Sequence, residues 1–111
     1  FGEFTGKNNQ NLVAELKRLF SEANPQAAIA ALRGMAERAD LCSMLAEIKI
    51  PTVFIFGAED KLINVEIAEN MNKKVTDSQL FVIEKAGHYS NLEQPEQFNK
   101  ALLSFLNQIK I

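Results

Sequence analysis

Apolar positions along this chain follow two different rhythms. In the first third they recur with helical spacing: Leu12, Val13, Leu16, Leu19 and Phe20 form one stripe. Asn24-Pro25 ends that helix and opens another. Asn supplies the cap, and Pro takes the first helical position, where its missing N–H costs nothing. Ala28, Ile29, Leu32, Met35 and Ala36 repeat the stripe, and Asp40 can cap a short third helix reaching about Leu45 or Ile48. Phe1 to Gln10 carries two glycines among polar residues and reads as an irregular lead-in.

After Ile50-Pro51 the rhythm changes. Thr52-Val53-Phe54-Ile55-Phe56 is continuous and β-rich, and it stops at Gly57. An unbroken run of this kind predicts a strand over about 52–57 buried on both faces, as in a parallel sheet. Asn64 then caps a helix carrying Ile67, Ala68, Met71 and Val75. Gln79-Leu80-Phe81-Val82-Ile83 predicts a second strand over about 79–84, closing at Ala86-Gly87. Gln94-Pro95-Glu96 opens a last helix with a stripe of Phe98, Leu102, Phe105, Leu106 and Ile109. Strands alternating with helices imply an α/β fold with two parallel strands.

Composition narrows the function. At 111 residues, 47% hydrophobic and 23% charged, the chain is one small globular domain or part of one. Its net charge is −2, and no Lys/Arg run exceeds two residues. That argues against nucleic acid or an anionic membrane as partner. No apolar run approaches the ~20 residues that span a bilayer. Cys42 is the only cysteine, so no intramolecular disulfide or thiolate cluster can form, and a reducing, cytoplasmic compartment fits. One histidine and no cysteine pair do not furnish a metal shell, so neither metal nor cofactor is expected.

The chemistry gathers in two loops that follow the predicted strands: Gly57-Ala58-Glu59-Asp60 and Ala86-Gly87-His88-Tyr89. Open α/β sheets place their ligand crevices at this edge. Asp60 and His88 are 28 positions apart, one strand–helix–strand unit. If the strands are neighbours, the carboxylate can reach the imidazole. An Asp accepting from Nδ1–H fixes the tautomer and leaves Nε2 free as a base.

The segments Pro51-Thr52-Val53-Phe54-Ile55-Phe56-Gly57-Ala58-Glu59-Asp60 and Gly87-His88-Tyr89-Ser90-Asn91-Leu92-Glu93-Gln94-Pro95 resemble the C-terminal part of the α/β-hydrolase family. The resemblance is greatest to its esterase, enol-lactonase and haloperoxidase-like branch and extends from Ala28 to about Leu106. In that family a P-T-x-x-x-x-G-x-x-D segment supplies the triad acid after the seventh strand, and G-H-x-x-x-x-E-x-P the histidine after the eighth. The resemblance thus implies Asp60 as acid and His88 as base. It also makes residues 1–48 cap-tail helices with their connection, and 49–111 the last βαβα units of the core.

Two departures stand out. Ile63-Asn64 replaces a position where the family often has proline, and Asn can cap the helix instead. The nucleophile elbow G-x-S-x-G is absent: Ser21, Ser43, Ser78, Ser90 and Ser104 all lack flanking glycines at the required positions. No H-G-G-type oxyanion segment is present either. The expectation is a C-terminal fragment of a hydrolase acting on a small-molecule ester or lactone, inactive alone. It should self-associate, or dock onto a missing N-terminal part, through an exposed sheet edge. The alternatives are a non-catalytic binding module and a piece of chain with no activity of its own.

Other residues carry structural expectations. Glu59, one position early for the motif, is the rival carboxylate. Glu93 should fix the loop after His88 by hydrogen bonds. Tyr89 and Ser90 are expected at the surface, Cys42 as a buried inert thiol, and Phe20, Met35 and Met44 as core or cap packing. Arg33 has no assignable partner.

Overall fold

A computed structural model describes residues 1–109. Six α-helices and two strands follow in the order α1 (Glu3–Asn8), α2 (Gln10–Glu22), α3 (Pro25–Glu37), β1 (Thr52–Gly57), α4 (Val65–Lys74), β2 (Ser78–Ile83), α5 (Ser90–Glu93) and α6 (Pro95–Gln108). A 3₁₀ helix, Cys42–Glu47, joins α3 to β1. The expected caps are in place. Asn24 Oδ1 accepts from the Gln26 amide at 2.8 Å and Asn64 Oδ1 from Ile67 at 2.9 Å. Asp40 Oδ1 accepts from the Cys42 amide at 2.9 Å at the start of the 3₁₀ helix.

The strands pair in parallel, with Thr52 opposite Ser78 and Gly57 opposite Ile83. The second strand therefore lies one residue earlier than the apolar run suggested. The turn after it, where Lys85 adopts φ 58°, ends the extended conformation at Ile83. Both strands are half-buried over their first five residues and buried only at the last. This corrects the expectation of burial on both faces. A two-stranded sheet has an outer edge on each strand and few elements to cover it.

The core gathers around Ile83, Ala86 and Ala101, with Ile55 and Phe81 packed against them. Ile55, Phe81 and Ile83 share one face because strand side chains alternate, and Ala101 and Phe105 present the buried stripe of α6. On α4, Ala68 is buried, as is Val75 just past the helix end. Burying a side chain the size of Val75 stabilises by about 1.5–3 kcal/mol.

Three expectations for the front third fail. Phe1 to Gln10 is not irregular: Glu3–Asn8 forms α1 and Gln10 opens α2, with Asn9 between them accepting from the Leu12 amide to cap α2. No residue of α2 or α3 is buried. Phe20 is 60% and Met35 63% exposed, and Met44 is exposed as well, because no described element covers their stripe. Cys42 is also exposed.

Candidate functional site

Parallel pairing brings the two loops together. The hydrogen-bond ladder continues past the strand ends: the Ala58 amide donates to Ile83 O at 2.9 Å and the Glu59 amide to Ala86 O at 2.8 Å. This zippering leaves no room for side chains between the loops. A Cβ on Gly57 would collide with the carbonyl oxygens of Ala86 and Gly87, so glycine is required by close approach.

Asp60 emerges from the first loop with its side chain 3% exposed. Its Oδ1 accepts from the amides of Leu62 at 2.8 Å and Ile63 at 3.0 Å. Oδ2 is left for the second loop and lies 3.0 Å from His88 Nδ1. Burial pushes the Asp60 carboxyl up. Hydrogen bonds from the Ile63 amide, the His88 ring and the Leu62 amide outweigh it and hold the group below its ordinary 3.8. An ionised carboxylate can only accept, so His88 Nδ1 carries the donated proton and Nε2 holds the free lone pair. The His88 side chain is 46% exposed, in contrast to the enclosed acid. An imidazole held in one tautomer with an accessible Nε2 can accept a proton from a neighbouring nucleophile.

The loop that presents His88 is pinned by Glu93, which is 6% exposed. Its Oε2 accepts from the amides of Gly87 at 3.0 Å and Tyr89 at 3.1 Å, and its Oε1 from Gly2 at 2.7 Å. Burial raises the Glu93 carboxyl. The Thr5 hydroxyl, which is buried nearby but makes no hydrogen bond of good geometry, and the Gly2 and Gly87 amides bring it below its ordinary 4.5. Glu59 accepts from the Phe4 amide at 2.9 Å. Tyr89 is half-buried, edge-on to His88 with ring centres 5.9 Å apart and tilted against Phe1 at 5.5 Å. Ser90, expected at the surface, is buried because α5 turns inward to deliver Glu93.

The structure thus pairs Asp60 with His88 and sets Glu93 under the histidine loop, while Glu59 serves the Phe4 amide instead. The segment Phe1–Thr5 is the part that sequence reasoning missed as a neighbour of the site. Gly2 reaches Glu93 across 91 positions, and no local pattern encodes such a contact. Asn9 signals only the start of α2; the helix containing Thr5 has no side-chain cap of its own. Elsewhere, an open groove of about 440 Å³ lies between the end of α3, the 3₁₀ helix and Met71, remote from the acid–histidine pair. Cys42 lines it, with its thiol pushed up by a hydrogen bond to Asp40 and that group's charge. Among the described residues, no group of three His, Cys, Asp or Glu side chains is placed to hold a metal ion, and no helix is long and apolar enough to cross a membrane.

A parallel strand pair whose following loops meet at the carboxyl edge, one bearing a buried acid and the other a histidine, is an α/β architecture with a crevice-edge site. The chain belongs to the α/β hydrolase fold family, whose sequence profile matches residues 6–95. It is 33% identical to a 3-oxoadipate enol-lactonase of Acinetobacter baylyi over 92% of this chain and 38% of that one. It is 31% identical to the 2-hydroxy-6-oxo-6-(2'-aminophenyl)hexa-2,4-dienoic acid hydrolase of Metapseudomonas resinovorans, over 78% of this chain and 31% of that one. A thermophilic esterase from Thermogutta terrifontis superposes with a TM-score of 0.91 at 32% identity, covering 96% of this chain and 39% of the esterase. The chain therefore spans 31–39% of the length of these relatives.

Proposed function

We propose that this chain is the C-terminal portion of a hydrolase cleaving an ester or lactone, and that it contributes the acid and the histidine of a nucleophile–His–Asp triad. The observation that carries the reading is the 3.0 Å contact between His88 Nδ1 and a buried, amide-anchored Asp60. Asp60 orients the ring and stabilises the imidazolium. His88 Nε2 takes the proton of a nucleophile located outside this chain and later returns it to the leaving group. The chain carries neither a G-x-S-x-G nucleophile elbow nor an H-G-G-type oxyanion segment. One oxyanion donor is commonly worth about 2.7–4 kcal/mol of transition-state stabilisation. We accordingly assign negligible turnover to the isolated chain.

The names of the enol-lactonase and esterase relatives support an acyl-type bond as target. The half-buried strands and the uncovered stripes of α2 and α3 support docking onto further core structure, or onto a second copy where that is missing. The test is the longer protein with this chain as its C-terminal part, assayed on an activated aryl ester. Loss of turnover by several orders of magnitude in Asp60→Asn and His88→Ala is expected. Unchanged turnover in both would instead assign the fold to a non-catalytic binding module.

A further inference from the structure

Glu93 occupies an unusual position relative to His88. One oxygen of its carboxylate holds the amides of the residues on both sides of the histidine, Gly87 at 3.0 Å and Tyr89 at 3.1 Å. The other oxygen holds Gly2, at the entry to α1, at 2.7 Å. The group is buried and ties the start of the chain to the histidine loop, two segments that also meet through the Phe1 and Tyr89 rings, 5.5 Å apart, and through Lys85 over the Phe4 ring. The Gly2 segment is seated tightly: a Cβ there would lie 2.9 Å from Glu59 Cβ and 3.0 Å from the Gly87 nitrogen. Glu59 adds a second tie by accepting from the Phe4 amide at 2.9 Å.

We infer that Glu93 is a positioning residue that makes the orientation of His88 depend on the seating of residues Gly2–Thr5. The inference rests on the acid–histidine reading above and adds a control element to it. With Gly2 in place, both carboxylate oxygens are occupied and the carboxyl plane is fixed. The Gly87 and Tyr89 amides then have one geometry open to them, and the imidazole between them meets Asp60 Oδ2. With Gly2 displaced, Oε1 loses its donor, the carboxylate rotates, and the histidine loop gains a degree of freedom. A carboxylate is suited to this role because it accepts on both oxygens, and buried amide–carboxylate bonds are charge-assisted. Movement of the front segment would thereby loosen the His88–Asp60 contact without touching either residue.

The experiment is nitrogen-15 and proton NMR of the His88 ring in the 111-residue chain, reading the tautomer and the hydrogen-bonded Nδ1 proton. Four forms are compared: the unaltered chain, Glu93→Gln, Gly2→Ala and a control, Phe105→Leu, that loosens the core away from the clamp. Glu93→Gln is isosteric and keeps one acceptor, and circular dichroism verifies that each form is folded. The expected result is a single Nδ1–H tautomer with a slowly exchanging proton in the unaltered chain and the control. In Glu93→Gln and Gly2→Ala, that proton should be lost to exchange and the ring nitrogens averaged between tautomers. The proposal is overturned if either folded variant keeps the unaltered signal, or if Phe105→Leu erases it equally. Absence of the Nδ1–H signal from the unaltered folded chain would instead overturn the acid–histidine reading on which the proposal rests.

Discussion

Gly57, the last residue of β1, packs its α-carbon directly against the backbone of Gly87, the residue before the histidine. This contact sets the distance between the two loops, and through it the distance between Asp60 and His88. Gly57→Ala would force the Ala86–Gly87 backbone outward. The expected cost is about 1–3 kcal/mol of stability, typical of overpacking, together with a weakened His88–Asp60 hydrogen bond. Urea unfolding measures the first and the ring proton spectrum the second. Unchanged values for both would mean that the loops have slack the packing does not suggest.

Asp60→Asn preserves shape but reverses one donor. The Asn oxygen keeps the Leu62 and Ile63 amides, so its NH₂ faces His88 Nδ1. Nδ1 must then accept, and the ring proton moves to Nε2, where a base needs its lone pair. In a complete hydrolase the expected loss of turnover is about 10⁴-fold, as for a wrong tautomer in a serine-protease triad. Nitrogen-15 shifts of the ring report the switch directly.

Acid should weaken the fold through the same carboxylates. Asp60 and Glu93 are both held below their ordinary values of 3.8 and 4.5. As the pH drops, the unfolded chain takes up these protons first, so stability rises with pH in this range. The contribution is complete well above the two unfolded values and is lost as the pH falls through them toward the lower folded ones. Urea midpoints at pH 7 and pH 3 should differ less in Asp60→Asn and Glu93→Gln than in the unaltered chain. An equal drop in all three would rule out these groups as the source.

Lys85 pairs a left-handed backbone, φ 58°, with a side-chain nitrogen 5.0 Å from the centre of the Phe4 ring. A β-branched residue fits that conformation poorly, so Lys85→Val should cost about 1–2 kcal/mol. Lys85→Gly relieves the backbone and loses the cation–ring contact, worth about 0.5–1 kcal/mol at exposed sites. Near-neutral stability is expected there. Thermal unfolding of the two variants separates the effects, and a Gly variant less stable than the Val variant would refute the backbone account.

Self-association is the expected solution behaviour of the chain on its own. Phe20, Leu32 and Met35 are exposed, and both strands have an outer edge. Sedimentation over a range of concentrations should show oligomers, reduced by Leu32→Glu with Met35→Lys. A single monomeric species at high concentration would contradict this.

The legible part of the protein was local. Caps at Asn24, Asp40 and Asn64, proline at Pro25 and Pro95, and the continuous runs around Phe54 and Phe81 placed most elements, because each depends on neighbours within a few residues. The spacing of Asp60 and His88 sufficed to bring them together, since one strand–helix–strand unit returns the chain to the same sheet edge. The stripes of α2 and α3 misled: periodicity signals an apolar face, but not whether anything lies against it. Cys42 and Ser90 traded places for the same reason, one left uncovered beside its groove and the other drawn in by α5.

By itself, then, the sequence determined most of the helices, the strand pair and the meeting of Asp60 with His88, through capping, periodicity and motif spacing. Tertiary structure alone decided that Oδ1 of Asp60 is occupied by two amides, so that Oδ2 must serve His88. It also decided that Glu93 ties both flanks of the histidine to Gly2. Those relations depend on the direction of individual amide N–H groups in a close-packed loop pair, and such directions are set only when distant backbone segments meet.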